Sequence, residues 1–385
     1  MPKLALKSAT VLHSLLAASA VCLCHNLISQ DLPPDASAVN EILLTGYRHY
    51  NLAIQQIRES MSSPFSLDPE ILLASAILLV PFATASQQIN HWLSSNSMKA
   101  DSCRPLSSTP RDVVIIMRAI RTMLETQRSA SSSPQQMDAQ EDLVPVPDTS
   151  LRASLTPSCT HVMFPILTAT IHPALAKLQQ RLDSASFALY DGQEDIISSC
   201  ATAFSVLKSI VGKVFPCPND VNSSLESSAD RYYELKRAAL PHVAPWLRSY
   251  ARKATGPLPA DLLTSIFLGF YIQVPQAYLD ITIPLLDQRL ESPLGGDDGT
   301  SNGIFTELSV QQALALDIYA HWSVLMFLVE EESWWIGNLP TVTLNGMVNR
   351  YGDDFMGKLW PEMADSESWW PGSMLRISQE IRLQR

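Results

Sequence analysis

Apolar residues that recur every three or four positions run through most of this chain, and no long window alternates apolar with polar at every second residue. From Val39 to Met61 the stripe consists of Ile42, Leu43, Tyr47, Tyr50, Ile54, Ile57 and Met61, with Arg48, Gln55 and Glu59 on the opposite face. A period near 3.6 buries one side of a helix but would scatter the same residues over both faces of a strand. Glycine points the same way, since 14 glycines in 385 residues leave few for the strand-to-helix turns of a doubly wound fold. The fold class expected is all-α, a multi-helix body.

Ser66-Leu67-Asp68-Pro69 reads as a helix start, with Asp68 as the cap and Pro69 in the first turn. The run from Ile71 to Val80 is apolar nearly all round and belongs at the centre, with a kink expected at Pro81. Thr109-Pro110 repeats the device ahead of a stripe of Val113, Ile116, Met117, Ile120 and Leu124. Later helices are expected over 160–182, 192–215, 226–254, 261–291 and 307–334, then in shorter pieces to Arg385. Pro241, Pro245, Pro275 and Pro284 should bend or divide two of these, and Gly295 to Gly299 mark a flexible loop. Residues 129–158 are rich in Ser, Pro, Gln and acids, too polar to order themselves by burial. They predict a disordered Ser/Pro/acidic insertion between an N-terminal helical part, 1–128, and a C-terminal part, 159–385, of one domain.

Charge and cysteines narrow the function classes. Lys and Arg number 27 against 38 Asp and Glu, a net charge of -11, and no basic cluster relieves it. Neutralising phosphates needs clustered cations, so direct nucleic-acid binding is not expected. The six cysteines, Cys22, Cys24, Cys103, Cys159, Cys200 and Cys217, show no C-x-x-C spacing and read as buried thiols of a reducing compartment. Cys22, Cys24 and His25 lie close together but lack a second ligand pair, so no metal site is expected.

Lys3 and Lys7 ahead of the apolar run from Ala9 to Cys24, with Ala18-Ser19-Ala20 beyond, sketch a secretory signal. His13 and Ser14 interrupt it, while Leu12, Leu15, Leu16 and Leu23 fit one face of a helix packing inward, the favoured reading. The sequon Asn222-Ser223-Ser224 matters only in a secreted chain. No clean run of about eighteen apolar residues is read from the sequence, so Ile71 to Ala85 and Leu314 to Val329 are expected as core helices, with no membrane partner.

No catalytic motif stands out. A nucleophile elbow needs G-x-S-x-G on a strand-turn-helix, and the one match, Gly299-Thr300-Ser301-Asn302-Gly303, continues the loop expected from Gly295 without such a context; H-E-x-x-H, the P-loop and G-x-G-x-x-G are missing from the sequence. His161, His172, His242 and His321 share no ligand spacing, and His321, inside a very apolar stretch, reads as a satisfied core histidine. Asn219-Asp220-Val221-Asn222-Ser223 begins like the magnesium motif of all-α terpene cyclases, but the acid, Glu226, comes one place early. The partner D-D-x-x-D is missing as well, because Asp297-Asp298 and Asp353-Asp354 are not followed by its third acid. Neither catalysis nor a cofactor is expected. An all-α enzyme without a linear motif and a non-regulatory helical scaffold are the alternatives.

The remaining feature is a pair of near-copies, Glu332-Ser333-Trp334-Trp335-Ile336-Gly337 and Glu367-Ser368-Trp369-Trp370-Pro371-Gly372. The segment from His321 to Gly337, HWSVLMFLVEEESWWIG, resembles a block of the regulatory domain of fungal Zn2Cys6 transcription factors. His49-Tyr50-Asn51-Leu52-Ala53, Leu72-Leu73-Ala74-Ser75, the segment Thr109 to Thr122 and the segment Trp370 to Ile381 are similar to the same family, in the same order. The resemblance implies an all-helical regulatory domain of a nuclear transcription factor, working through coregulators or other transcription factors, as a homo- or heterodimer, and in some members binding a sterol- or lipid-like effector. The C-x-x-C-x6-C zinc cluster is missing, so DNA contact is expected only indirectly. Either Met1 begins a fragment of a longer gene or the chain is a partner-dependent regulator. Trp334 and Trp335 are expected to end the most apolar helix, with Gly337 and Gly372 turning the chain after each pair. Two readings stay open for these aromatics: anchors that pack the C-terminal layers, or, with Trp322 and Met326, the lining of an apolar effector pocket.

Overall fold

The computed structural model describes residues 2–30, 34–62, 69–96, 114, 115, 118, 161–187, 194–215, 262–287, 308–330, 334–351 and 369–384. Eleven α-helices and one 3-10 turn, with no strand, are found among them. In chain order they are α1 (Pro2–Ala5), α2 (Ala9–Ile28), α3 (Ala36–Ser62), α4 (Pro69–Asn96), α5 (Met163–Phe187), α6 (Glu194–Val214), α7 (Leu262–Gln273) and α8 (Gln276–Asp287). Then follow α9 (Val310–Leu325), the 3-10 turn Met326–Val329, α10 (Leu339–Tyr351) and α11 (Trp370–Leu383). The protein is all-α. The expected insertion at 129–158, the helix at 226–254, the loop at 295–299 and the acidic pairs at 297–298 and 353–354 lie outside the described residues.

Helices α2, α3 and α4 pack around Val21, Leu43, Phe82 and Ile89. Phe82 meets Tyr47 edge-on at 5.2 Å and stacks on Tyr50 at 4.7 Å, so one α4 ring holds two turns of α3. The inward face of α2 is Val11, Ser14, Ala17, Val21 and Cys24. This corrects the expectation for Leu12, Leu16 and Leu23, which are 37%, 39% and 49% exposed. The reason is closeness: Gly46 of α3 sits where an added Cβ would meet Ala20 Cβ and Phe82 Cε2, each at 3.0 Å. Only small side chains of α2 fit opposite it, and they displace the leucines outward.

The other face of α4 belongs to the larger core, where Leu73, Ile77 and Leu79 join α5 to α11. At its centre stands α9. Every residue from Ala313 to Leu325 is buried, against α5, α6, α8, α10 and α11. A capping box starts it: Gln312 N–H donates to Ser309 Oγ at 3.2 Å, and Ser309 N–H donates to Gln312 Oε1 at 3.0 Å.

Prolines behave in two ways. Pro275 separates α7 from α8, as expected, whereas α4 and α8 continue through Pro81 and Pro284. Of the segment 109–122 only Val114, Ile115 and Arg118 are described. Val114, off the expected stripe, is buried, and Ile115 is exposed. Arg118 closes the C-terminal end of α7. Its Nε donates to Tyr271 O at 3.1 Å, a second guanidinium N–H to Val274 O, and Nη1 to Gln276 Oε1 at 2.9 Å, satisfying carbonyls that a helix end leaves open.

Among the described residues four helices are long and apolar enough, by length and composition, to cross a membrane: Ala9–Ile28, Glu70–Ser94, Asp195–Val214 and Val310–Val329. This corrects the expectation of no span-length run: residues such as Asp317 and His321 interrupt the apolar stretches, yet the helices continue through them and through Ser, Thr and Gln without losing their mean apolarity. Within the fold 94% of the window in Val310–Val329 and 78% of that in Glu70–Ser94 are buried, so their apolar surface faces the core; in Ala9–Ile28 only 28% is.

Two helical glycines should respond oppositely to substitution. Gly46→Leu overpacks the α2–α3 crossing and should cost roughly 1–3 kcal/mol. Gly212 of α6 has nothing within 4 Å of an added Cβ, so Gly212→Ala should stabilise by about 0.5–1 kcal/mol. Urea midpoints of the two variants, compared with the parent, measure both.

Candidate functional site

Among the described residues the buried acidic and basic side chains are Asp317, His321 and Glu330, on α9 or just beyond its 3-10 extension. Asp317 is completely buried, a position that is costly for a carboxylate unless it is fully partnered. Arg181 of α5 reaches its Oδ2 with Nη1 at 2.5 Å. On Oδ1, Trp369 donates its indole Nε1–H at 2.9 Å, and His321 Nδ1 lies 3.2 Å away. His321 Nδ1 is also 2.8 Å from the Asp317 carbonyl one turn back, and its ring stacks on Trp370 at 5.1 Å. Burial alone would raise the Asp317 pKa; the charges of His321 and Arg181 and the hydrogen bonds from His321 and Trp369 outweigh it and hold the group at about 2. The carboxylate is therefore ionised at neutral pH and joins three helices, α5, α9 and the start of α11.

A second carboxylate closes the far end of the same rod. Glu330, just past the 3-10 turn, accepts from Thr341 N–H at 3.0 Å and from Thr341 Oγ1 at 2.8 Å, both on its Oε1. Its Oε2 pairs with Arg382 in the last turn of α11. An anion at the first turn of α10 satisfies an N–H that the helix itself cannot use and meets the positive end of its dipole.

The indole of Trp322 is fixed in place. Its Nε1–H donates to Phe267 O at 2.9 Å, Phe270 stacks on it at 5.3 Å, and Tyr271 meets it edge-on at 4.6 Å. Trp322, Met326 and Trp335 line one cavity with Tyr271, Tyr319 and Ile336. Its volume of about 20 Å³ has room for roughly one water. The hydroxyls around it serve their own helices: Ser323 donates to Tyr319 O, Thr84 to Val80 O and Thr343 to Leu339 O. Tyr271 and Tyr319 share a 2.7 Å hydrogen bond, and burial pushes both phenols up, so they stay protonated. The wall is apolar, without an ionised group.

The fourth expected lining residue, Trp334, is elsewhere. Its ring is 38% exposed and lies 5.5 Å from His25 of α2. Nor do Trp334 and Trp335 end the apolar helix: α9 stops at Leu325, its 3-10 extension at Val329, and the pair lies in a turn beyond. Gly337 makes that turn as expected, with φ +46, and an added Cβ there would lie 2.1 Å from Gln88 Oε1. Gln88 in turn donates its Nε2–H to Trp335 O at 3.0 Å. The second copy differs. Trp369 is the N-cap position of α11, Trp370 its first residue, and Gly372 lies inside the helix rather than in a turn after the pair.

The described thiols, Cys22, Cys24 and Cys200, take no part in the site. Burial pushes Cys24 to about 11 and Cys200 to about 12, which leaves both protonated. Among the described residues no group of three or more His, Cys, Asp or Glu could hold a metal ion. In the sequence Asp317 and His321 mark only a polar break in the apolar run from Leu314 to Val329, and Arg181, Glu330 and Arg382 carry no local signal of their roles. No family model, curated protein or solved structure matches this chain.

Arg181→Met should cost about 3–5 kcal/mol by leaving Asp317 buried without its cation, and Arg181→Met combined with Asp317→Leu should recover most of that loss, since matched apolar residues replace a buried pair at little cost. Chemical denaturation of the two variants checks this. The folded pKa of Asp317 is below its ordinary 3.8, so its ionisation contributes full stability above that value and loses it as pH falls from 3.8 through about 2. The melting temperatures of the parent and of Asp317→Asn should therefore differ by a constant amount above pH 4 and converge at lower pH.

Proposed function

We propose that this protein is a regulator of transcription of the fungal Zn2Cys6 regulatory-domain type, acting through protein partners rather than by contacting DNA itself. The observation that carries the reading is where the resembling block lies. Residues 321–330 complete the buried rod around which the other helices pack, and 334–337 lock that rod to α4 through Gln88. A segment used in this way suits the frame of a helical docking body, and the polar groups nearest to it are already hydrogen-bonded, within their own helices or between helices. The net charge of -11 agrees with indirect contact with DNA.

The aromatic cavity is the place where a small apolar effector would act in this reading. A sterol- or lipid-sized molecule is far larger than about 20 Å³, so its entry requires the Trp335–Leu339 turn to move away from Tyr271 and Trp322. Such a ligand would then favour a displaced turn over the packed one, and that differential affinity is what would let it regulate.

The full chain, expressed in a fungal host, should accumulate in the nucleus, and its deletion should change a defined set of transcripts. Fused to a heterologous DNA-binding domain, it should alter a reporter carrying the matching site by several fold. Exclusion from the nucleus together with a silent reporter and unchanged transcripts would remove the reading.

A further inference from the structure

Helices α2 and α3 run antiparallel, as their matched contacts show: His13 meets His49, Ala17 and Ala20 meet Gly46, and Cys24 Sγ lies 3.6 Å from Val39 O. The close approach at Gly46, one turn from His49, brings the two imidazoles together. Their Nδ1 atoms are 3.1 Å apart, with the rings nearly parallel at 19° and their centroids 5.2 Å apart. Both rings are partly accessible to solvent. We propose that His13 and His49 form a two-imidazole site for a divalent late transition metal ion, Ni(II) or Cu(II), clamping α2 to α3.

The separation suits a single shared ion. Two imidazole nitrogens at about 2.0–2.1 Å from one ion and 3.1 Å from each other subtend an angle of roughly 95–100° at it. That angle suits two neighbouring ligands of one ion, and among divalent first-row metals nitrogen ligands bind Cu(II) and Ni(II) strongly. In the free protein the two Nδ1 atoms share one proton in a hydrogen bond; on metal binding that proton moves to Nε2 of its own ring, and both Nδ1 lone pairs face the ion. Water completes the coordination from the exposed side.

Both ligands sit on helices whose spacing is already set by the Gly46 crossing, so little ordering accompanies binding. The protein's net charge of -11 favours approach of a cation. The site goes beyond the regulatory reading and does not depend on it.

Ni(II) chloride, titrated into the purified full-length chain, is the probe, chosen because it does not oxidise thiols as Cu(II) does. One ion should bind per chain and raise the thermal unfolding temperature. His13→Ala and His49→Ala should each weaken binding at least ten-fold and remove that rise, while His25→Ala on the same helix should leave both unchanged. In the unsubstituted chain, Ni(II) should selectively broaden the ring resonances of His13 and His49 in spectra of histidine-labelled protein. Unaltered binding in the two alanine variants, or broadening confined to other histidines, overturns the site.

Discussion

A buried carboxylate holds the centre of this molecule. Asp317 lies in the middle of the most enclosed helix, where water cannot reach it, and its charge persists because Arg181, His321 and Trp369 surround it with a cation and hydrogen-bond donors. Those three partners arrive from α5, from the next turn of α9 and from the cap of α11. The helices can pack in only one register if all three are to reach the same two oxygens. An apolar core alone tolerates sliding by a turn, since one leucine replaces another at similar energy; a single buried charge does not.

Glu330 repeats the arrangement at the other end of the rod, linking the first turn of α10 to the last turn of α11. Between these two anchors the core is aromatic and aliphatic, with Trp322 held by Phe267 O and by the stacked Phe270. The N-terminal helices join the rest through the apolar face of α4 and through a hydrogen bond from Gln88 to Trp335 O, with Gly337 giving the side chain room. The aromatic cavity lies at that junction. A displacement of the Trp335 turn would therefore be felt by α4, a route by which a change at the cavity reaches α2 and α3.

Periodicity alone revealed most helices. The stripe from Ile42 to Ile57 belongs to α3, Pro69 begins α4, and Pro275 divides α7 from α8. Faces were less legible than elements. On α2 the leucines mark the more apolar stripe, yet the smaller Ser14, Ala17 and Val21 are the buried set, because Gly46 requires a close crossing. The tandem tryptophans show the same limit. Near-identical sequences, ESWWIG and ESWWPG, take different roles, one in a turn after the rod and one at the cap of α11. Trp322, Met326 and Trp335 do converge, while Trp334 faces His25 instead.

The sequence by itself determined that the chain is helical and where most helices start and stop, because those properties depend on residues within a few positions of one another. It also marked the segment from Ile71 to Val80 as central, since a helix apolar nearly all round has nowhere else to go, and the segment from Leu314 to Val329 as a core helix. Only the tertiary structure decided which partners Asp317 finds, which face of α2 turns inward and which indole reaches the cavity. Each of those outcomes joins residues tens to hundreds of positions apart, and hydrogen bonds and close contacts between them are fixed by how helices cross in space, a property that no local spacing encodes.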